Sequence, residues 1–394
     1  MAKHRNSGWD TEGHTMSKTN DTQRQGSLPR EPMPDDVTTG EQLHGSEPIE
    51  DPLEQNLTSI AEVEDAKLSR NDEQSKSQGR IVLERFMRHR PAMISSAVLI
   101  LITVVAFTSI GYGPIPGWWG QSYLNAGEVV NGGKPTMSLL PTWLGGSGFQ
   151  IGEHPFGQDS IGKDYFALVM NGTQKSIIIG VVVGLVSTFI GSIVGAIAGY
   201  FRGWVDEVLM RLTDLFIVIP LLVLAAVLGQ MAGASSGSII TLALVLGLVT
   251  WTGLARLVRG EVLSLREREY VAAAQAMGSK TGRVVFKHLL PNTIGVIVVN
   301  ATFAIAGAIL LESSLSFLGF GVKAPESSLG LLISQYQNAF TSRPWLFWWP
   351  GMIIVAIALS VNFLGDGLRD AFDPRQTFRA RRRRLSLKIR KEQA

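Results

Sequence analysis

The residues most able to do chemistry in this 394-residue chain are few and poorly matched to one another. Gly157 to Lys163 has the GxxxxGK spacing of a phosphate-binding loop. The context argues against that use. Asp164 stands where a Ser or Thr would hold magnesium, an anion there repels phosphate, and no buried-strand pattern precedes the string. A tight turn bent at glycine and fixed by the Asp159 and Asp164 side chains is the reading that remains. There is no cysteine, which excludes disulfides, thiolate metal sites and a cysteine nucleophile. The six histidines, His4, His14, His44, His89, His154 and His288, have no metal-ligand spacing. Two carboxylates stand beside or inside apolar runs. Asp214 follows Arg211 by three residues, which puts both on one helix face and suits an ion pair; a substrate or ion ligand is the other reading. Glu312 sits among Ser313, Ser314 and Ser316. A carboxylate at membrane depth is a functional candidate by default, and a hydrogen-bonded or wet structural group is the alternative. No nucleophile–base pair or metal cluster emerges, so the chain is expected not to be an enzyme.

The elements that position these groups are apolar. The chain is 45% hydrophobic with a net charge of +3, but charge is unevenly placed. Residues 1–79 hold 8 Lys/Arg against 16 Asp/Glu, so this segment carries −8 and the rest +11. The first stretch is too polar and charged to offset its ordering entropy and is expected to be a disordered acidic tail. It lacks the apolar run of a cleaved signal. Residues 80–112 combine the basic flank Arg80, Arg85, Arg88 and Arg90 with a first uncharged run long enough to cross a bilayer. Residues 113–175 read as an outer loop rich in Gly, Pro and Trp. Residues 176–368 hold five further spans, at about 176–201, 212–231 (kinked at Pro220), 239–257, 292–311 and 350–364. Gly180, Gly184, Gly191, Gly195 and Gly199 line the second span, a small-residue stripe that lets helices approach closely in lipid. Trp345, Phe347, Trp348 and Trp349 read as an aromatic belt. Residues 369–394 carry 10 Lys/Arg against 3 Asp/Glu and are expected to lie in the cytoplasm, next to anionic lipid. The fold class is thus an all-α polytopic membrane protein. Six spans place both termini inside, with the basic loops on the cytoplasmic side.

The one long polar loop inside this body is 266–292. Ala272, Ala273 and Ala274 favour a short helix, Gly278 ends it, a second helical run covers 281–290, and Pro291 marks entry to the fifth span. This order, with Leu290-Pro291 closing it, resembles the EAA loop of bacterial ABC importer permeases. Ala272 replaces the Glu of that motif, and His288 stands where it often has Ile. His154-Pro155-Phe156-Gly157-Gln158-Asp159, with Gly162 and Asp164, resembles the HPFGxDxxGxD signature of the peptide branch. The string 312–321 resembles its ESSLSFLGLG segment, and 365–375 its closing GDxLRDxxDPR. The chain is similar, over about 80–375, to permeases of the dipeptide/oligopeptide/nickel importers.

That resemblance implies a type I (MetI-like) permease core in the bacterial cytoplasmic membrane. It also implies a homologous second permease, two ABC ATPase subunits and an extracytoplasmic solute-binding protein as partners. ATP and magnesium would be bound by the ATPases, with no cofactor on this chain and no nucleic-acid partner. Ala272, Ala273, Ala274, Gly278, His288, Leu290 and Pro291 would form the ATPase-coupling contact. The expected cargo is a di- or oligopeptide, with nickel or another small solute as the alternative. Two readings from other classes stay open: an ion-coupled secondary transporter working through Asp214 and Glu312, and a membrane scaffold using the acidic tail.

Overall fold

The structure, a computed structural model, describes residues 78–138, 148, 150–236 and 238–373. The expected acidic tail, residues 1–79, and the basic C-terminal tail from 374 onward lie outside the described residues, apart from Gln78 and Gly79.

A short helix, α1 (Gln78–Arg88), leads into α2 (Arg90–Ser109). The His89 side chain caps α2 by accepting from Ala92 N, and Pro91 occupies its first turn, where a missing N–H costs nothing. A two-residue hairpin, β1 (Gly111–Tyr112) and β2 (Ile115–Pro116), comes after it. Next is α3 (Tyr165–Phe201), 37 residues long. At 1.5 Å per residue it spans about 55 Å, well beyond a bilayer core of about 30 Å. It begins eleven residues before the predicted span, because Asp164 caps it and its polar residues find partners inside the protein. Gln174 Nε2 donates to Ala106 O (2.8 Å) and Gly111 O (3.0 Å), and Lys175 pairs with Glu326 (3.1 Å).

The third and fourth predicted spans are both broken. Helices α4 (Gly203–Val218) and α5 (Leu221–Ser236) meet at 89°, and α6 (Ile239–Thr250) and α7 (Thr252–Arg266) at 44°. Pro220 accounts for the first break: it lacks an N–H and biases Ile219 to its extended conformation (ψ 128°). The loop helix α8 (Glu269–Ala276) precedes α9 (Thr281–Phe317). A short α10 (Leu329–Tyr336) and α11 (Trp345–Phe372) complete the described chain. Four helices, α2, α3, α9 and α11, are each long and apolar enough to cross a membrane, and each bent pair supplies one further candidate span.

Long α3 is the central mast, packed along α6, α7 and α9, while α11 joins α9 to α2. Lipid tails are as apolar as Leu, so close small-residue contact matters more here than hydrophobic burial. A Cβ at Gly180 would lie 2.6 Å from Ile309 Cγ1 of α9, and one at Gly184 would run into Ile305. Further along α3 the same stripe changes partner. A Cβ at Gly191 would lie 2.8 Å from Trp251 O, one at Gly199 2.9 Å from Arg259 O, and one at Gly195 would collide with Ala255 O. Large apolar side chains such as Ile100, Leu101, Leu185, Phe189 and Val355 face outward, as a lipid-embedded surface requires.

Candidate coupling site

Two residues separate α7 from α8, so the loop helix hangs directly from a packed one. Helix α8 ends in a Schellman cap: Gly278 N donates to Gln275 O (2.9 Å) and Ser279 N to Ala274 O (3.1 Å). The cap needs a left-handed residue, and Gly278 has φ +79°. Val271 and Ala274 seat α8 inward, beside Val258, Val262, Val284, Val285 and Leu289. The opposite face is open. Ala272, Ala273, Ala276 and Gly278 are exposed, Met277 is 80% exposed and Phe286 61%. Apolar side chains at that exposure, on a loop whose capping residue has no side chain, make a small apolar surface knob.

The second helical run does not stop before the fifth span. Residues from Thr281 continue unbroken into α9, and Val284–Leu289 form a π-helical turn. Pro291 explains it. With no N–H at 291, the ladder shifts register, and Leu290 N reaches back five residues to Val285 O. Leu290 and His288 are half-buried and Pro291 is exposed. His288 contributes its carbonyl, which accepts from Asn292 Nδ2 at 2.6 Å.

Polar ties fix the loop to the end of α3. Arg266 donates to Tyr200 O and lies over the Tyr200 ring at 5.5 Å. Gln275 Nε2 donates to Tyr200 OH at 3.3 Å, and Arg202 pairs with Glu267. None of these contacts had a sequence signal, because each joins residues more than 60 positions apart.

Asp214 does have an ion pair, but not with Arg211. Its partner is Arg256 on α7, while Arg211 stands 3.9 Å from Glu207 on its own helix. Eight residues earlier, Asp206 accepts from Arg259 Nε and Nη2 at 2.5 and 2.6 Å, a bidentate pair that sequence reading missed. Glu312 is sealed, with zero exposure. It accepts from Ser316 Oγ (2.7 Å) and Ser176 Oγ (3.1 Å). Ser176 Oγ in turn accepts from Leu329 N, and Ser316 Oγ from Val322 N, so one carboxylate joins α3, α9 and the start of α10.

At the opposite end, the Gly157–Asp164 string is a turn. Asp159 Oδ1 accepts from Ile161 N (3.0 Å) and Lys163 N (2.8 Å), and Asp159 Oδ2 from Tyr336 OH (3.0 Å). Asp164 accepts from Ala167 N and Trp119 Nε1, and His154 Nδ1 lies 2.8 Å from its other oxygen. Gly157 and Gly162 both have positive φ, and a Cβ on Gly162 would run into Gly127. The backbone donors that a phosphate would need are turned onto Asp159.

Comparison with known proteins places this architecture. Residues 191–378 match the model of binding-protein-dependent transport system inner membrane components, and residues 77–115 that of the N-terminal TM domain of oligopeptide transport permease C. The oligopeptide transport system permease protein OppC of Mycobacterium tuberculosis is 38% identical over 302 residues, covering 76% of this chain and 95% of that one. OppC of Bacillus subtilis is 33% identical over 291 residues, covering 74% and 88%. A solved inward-facing structure of the MetNI methionine ABC transporter aligns at 20% identity and a TM-score of 0.44, covering 53% of this chain and 98% of that one.

Proposed function

The chain belongs to the binding-protein-dependent ABC importer permeases of the oligopeptide type, and from that premise we propose that it carries di- or oligopeptides across the bacterial inner membrane. Its relatives in Mycobacterium and Bacillus are oligopeptide permeases by name, which supports peptide over nickel. The loop end of the bundle faces the cytoplasm, and with six spans both termini lie there. ATP and magnesium are bound by two ATPase chains, not by this one. A homologous second permease and an extracytoplasmic solute-binding protein complete the machine.

The observation that carries this reading is the exposed knob Ala273, Met277, Gly278 and Phe286 at the end of a Schellman-capped helix, tied to the mast through Tyr200. In this mechanism the closing ATPase dimer pushes the knob. It binds one arrangement of the loop better than the other, and that difference drives the bundle between inward- and outward-facing states. The two carboxylates of the ion-driven alternative have structural partners, Asp214 with Arg256 and Glu312 with Ser176 and Ser316.

Uptake in a strain lacking only this chain tests the reading. A labelled dipeptide, a longer peptide and nickel would be compared, with and without ATP depletion. Selective loss of ATP-dependent peptide uptake, restored by the wild-type gene, is expected. Loss of nickel uptake alone would replace the cargo, and normal entry of all three would overturn the assignment.

A further inference from the structure

Helix α4 is an unusual part of the bundle. It is hinged at both ends: Arg202 before it has φ +55°, and the break at Ile219–Pro220 turns the chain by 89° into α5. Its outward face carries Trp204, Val208, Leu215 and Val218, exposed by 56–81%. Its inward face meets α7, and charge dominates that contact. Asp206 takes the bidentate hydrogen bonds of Arg259, and Asp214 pairs with Arg256. Phe216 adds an edge contact to Trp251 at the α6–α7 bend, with ring centroids 5.9 Å apart. Asp206 is 16% exposed and Arg259 33%, so this pair is largely withdrawn from solvent.

The same α7 runs, two residues later, into the coupling helix. Its other face lies on the glycines of α3, where the carbonyls of Trp251, Ala255 and Arg259 and the side chains of Leu254, Val258 and Val262 all approach the α3 backbone. α7 is therefore held on two sides, by its seat on α3 with the Arg266–Tyr200 tie and by the Arg256 and Arg259 pairs to α4. Two Arg–Asp pairs set on successive turns of α7 fix translation and rotation together, which a single contact would not do.

We propose that Asp206 and Asp214 are positioning residues for transport: through Arg259 and Arg256 they make α4 travel with α7, so that a push on the coupling loop reaches the bent α4–α5 span and pivots it at Pro220. The inference rests on the importer reading above. The clasp stays closed through the cycle, and the hinges at Arg202 and Pro220 do the moving.

The test uses the complete complex, purified with its ATPases and binding protein and reconstituted in vesicles. The chain has no cysteine, so the paired substitutions Asp206→Cys and Arg259→Cys can be bridged by a short bis-maleimide without labelling elsewhere on this chain. Unbridged, the pair should import labelled peptide between about 5- and 150-fold more slowly per assembled complex, the range over which one coupling free energy acts. It should also hydrolyse more ATP per peptide moved, a ratio that a merely structural defect would not change. Bridging should restore uptake to within about twofold of wild type. Asp206→Asn combined with Asp214→Asn should show the same wasted hydrolysis. The proposal is overturned if bridging abolishes uptake, since the clasp would then have to open, or if the unbridged and doubly neutral variants keep the wild-type ratio. Should wild-type vesicles import a different solute, the cargo assignment fails by itself, and the bridge is read out with that solute.

Discussion

Substitutions at Gly278 separate the backbone of the coupling loop from its surface. Nothing in this chain lies within 4 Å of a Cβ built there, so a side chain meets no internal obstacle. The internal cost is conformational, set by φ +79°. For Ala that cost is about 1–2 kcal/mol, which shifts the loop equilibrium by roughly 5- to 30-fold. Asn tolerates the left-handed region better and costs less, but it is larger. Strain and bulk therefore rank the two in opposite orders. If the knob enters a close-fitting groove on the ATPase, Gly278→Asn should impair uptake and binding-protein-stimulated ATP hydrolysis more than Gly278→Ala, although its loop is the better formed. Gly278→Trp should abolish both, or prevent the ATPases from co-purifying. The assay is uptake and hydrolysis per assembled complex, with loop order followed by limited proteolysis. Activity that tracks loop order, with Asn above Ala, would refute the docking argument. So would a Trp variant that imports normally in complete complexes.

Other contacts give further expectations. Gly195→Ala should lower the melting temperature of the solubilised protein, because its Cβ collides with Ala255 O and lies 2.9 Å from Val258 Cβ; overpacking of this kind costs about 1–3 kcal/mol. Gly260→Ala, with nothing within 4 Å, should be neutral or stabilising by up to about 1 kcal/mol, and equal losses at both sites would argue against the packing account. Glu312→Leu leaves the Ser176 and Ser316 hydroxyls without their acceptor at about 1–3 kcal/mol each, whereas Glu312→Gln keeps one acceptor and should melt closer to wild type. Tyr336 donates to Asp159, and burial together with that charge raises its pKa above the ordinary value. The folded state then holds the proton more tightly than the unfolded one, so this contribution is complete below about pH 10 and is lost as pH rises further. Tyr336→Phe should be less stable at neutral pH and lose less stability on alkaline titration; parallel curves would remove Tyr336 from the account.

How much of this was legible depended on the range of each interaction. Long uncharged runs reveal spans because lipid tolerates little else, and α2, α3, α9 and α11 follow from that alone. The early start of α3 does not, since Asn171, Thr173 and Gln174 look like loop residues until Ser327 Oγ donates to Asn171, Thr173 bonds back to Val169 O, and Ala106 O and Gly111 O accept from Gln174. The Gly278 cap was readable because a Schellman motif is closed within six residues. The π turn after it was not, although Pro291 forces it. Asp214 shows the limit clearly. Spacing offers Arg211 as a partner, but a surface pair three residues apart contributes only a few tenths of a kcal/mol, too little to decide the geometry. The tertiary fold presents Arg256 instead.

At the glycine stripe a local pattern meets a global arrangement. A step of four residues advances about 40° around a helix, so Gly180 to Gly199 trace one slowly turning ridge on α3. The sequence reveals that ridge but not that two helices share it. Near Gly180 and Gly184 it holds α9 through Ile305 and Ile309, and from Gly191 to Gly199 it holds α7 through backbone carbonyls. The α9 contact is keyed by branched side chains and resists sliding. The α7 contact combines those carbonyls with the Leu254, Val258 and Val262 side chains, and Arg266 ties its end to Tyr200 O. A displacement of the loop is therefore passed to α7 and the end of α3 together, and the Asp206 and Asp214 pairs extend that linkage to α4.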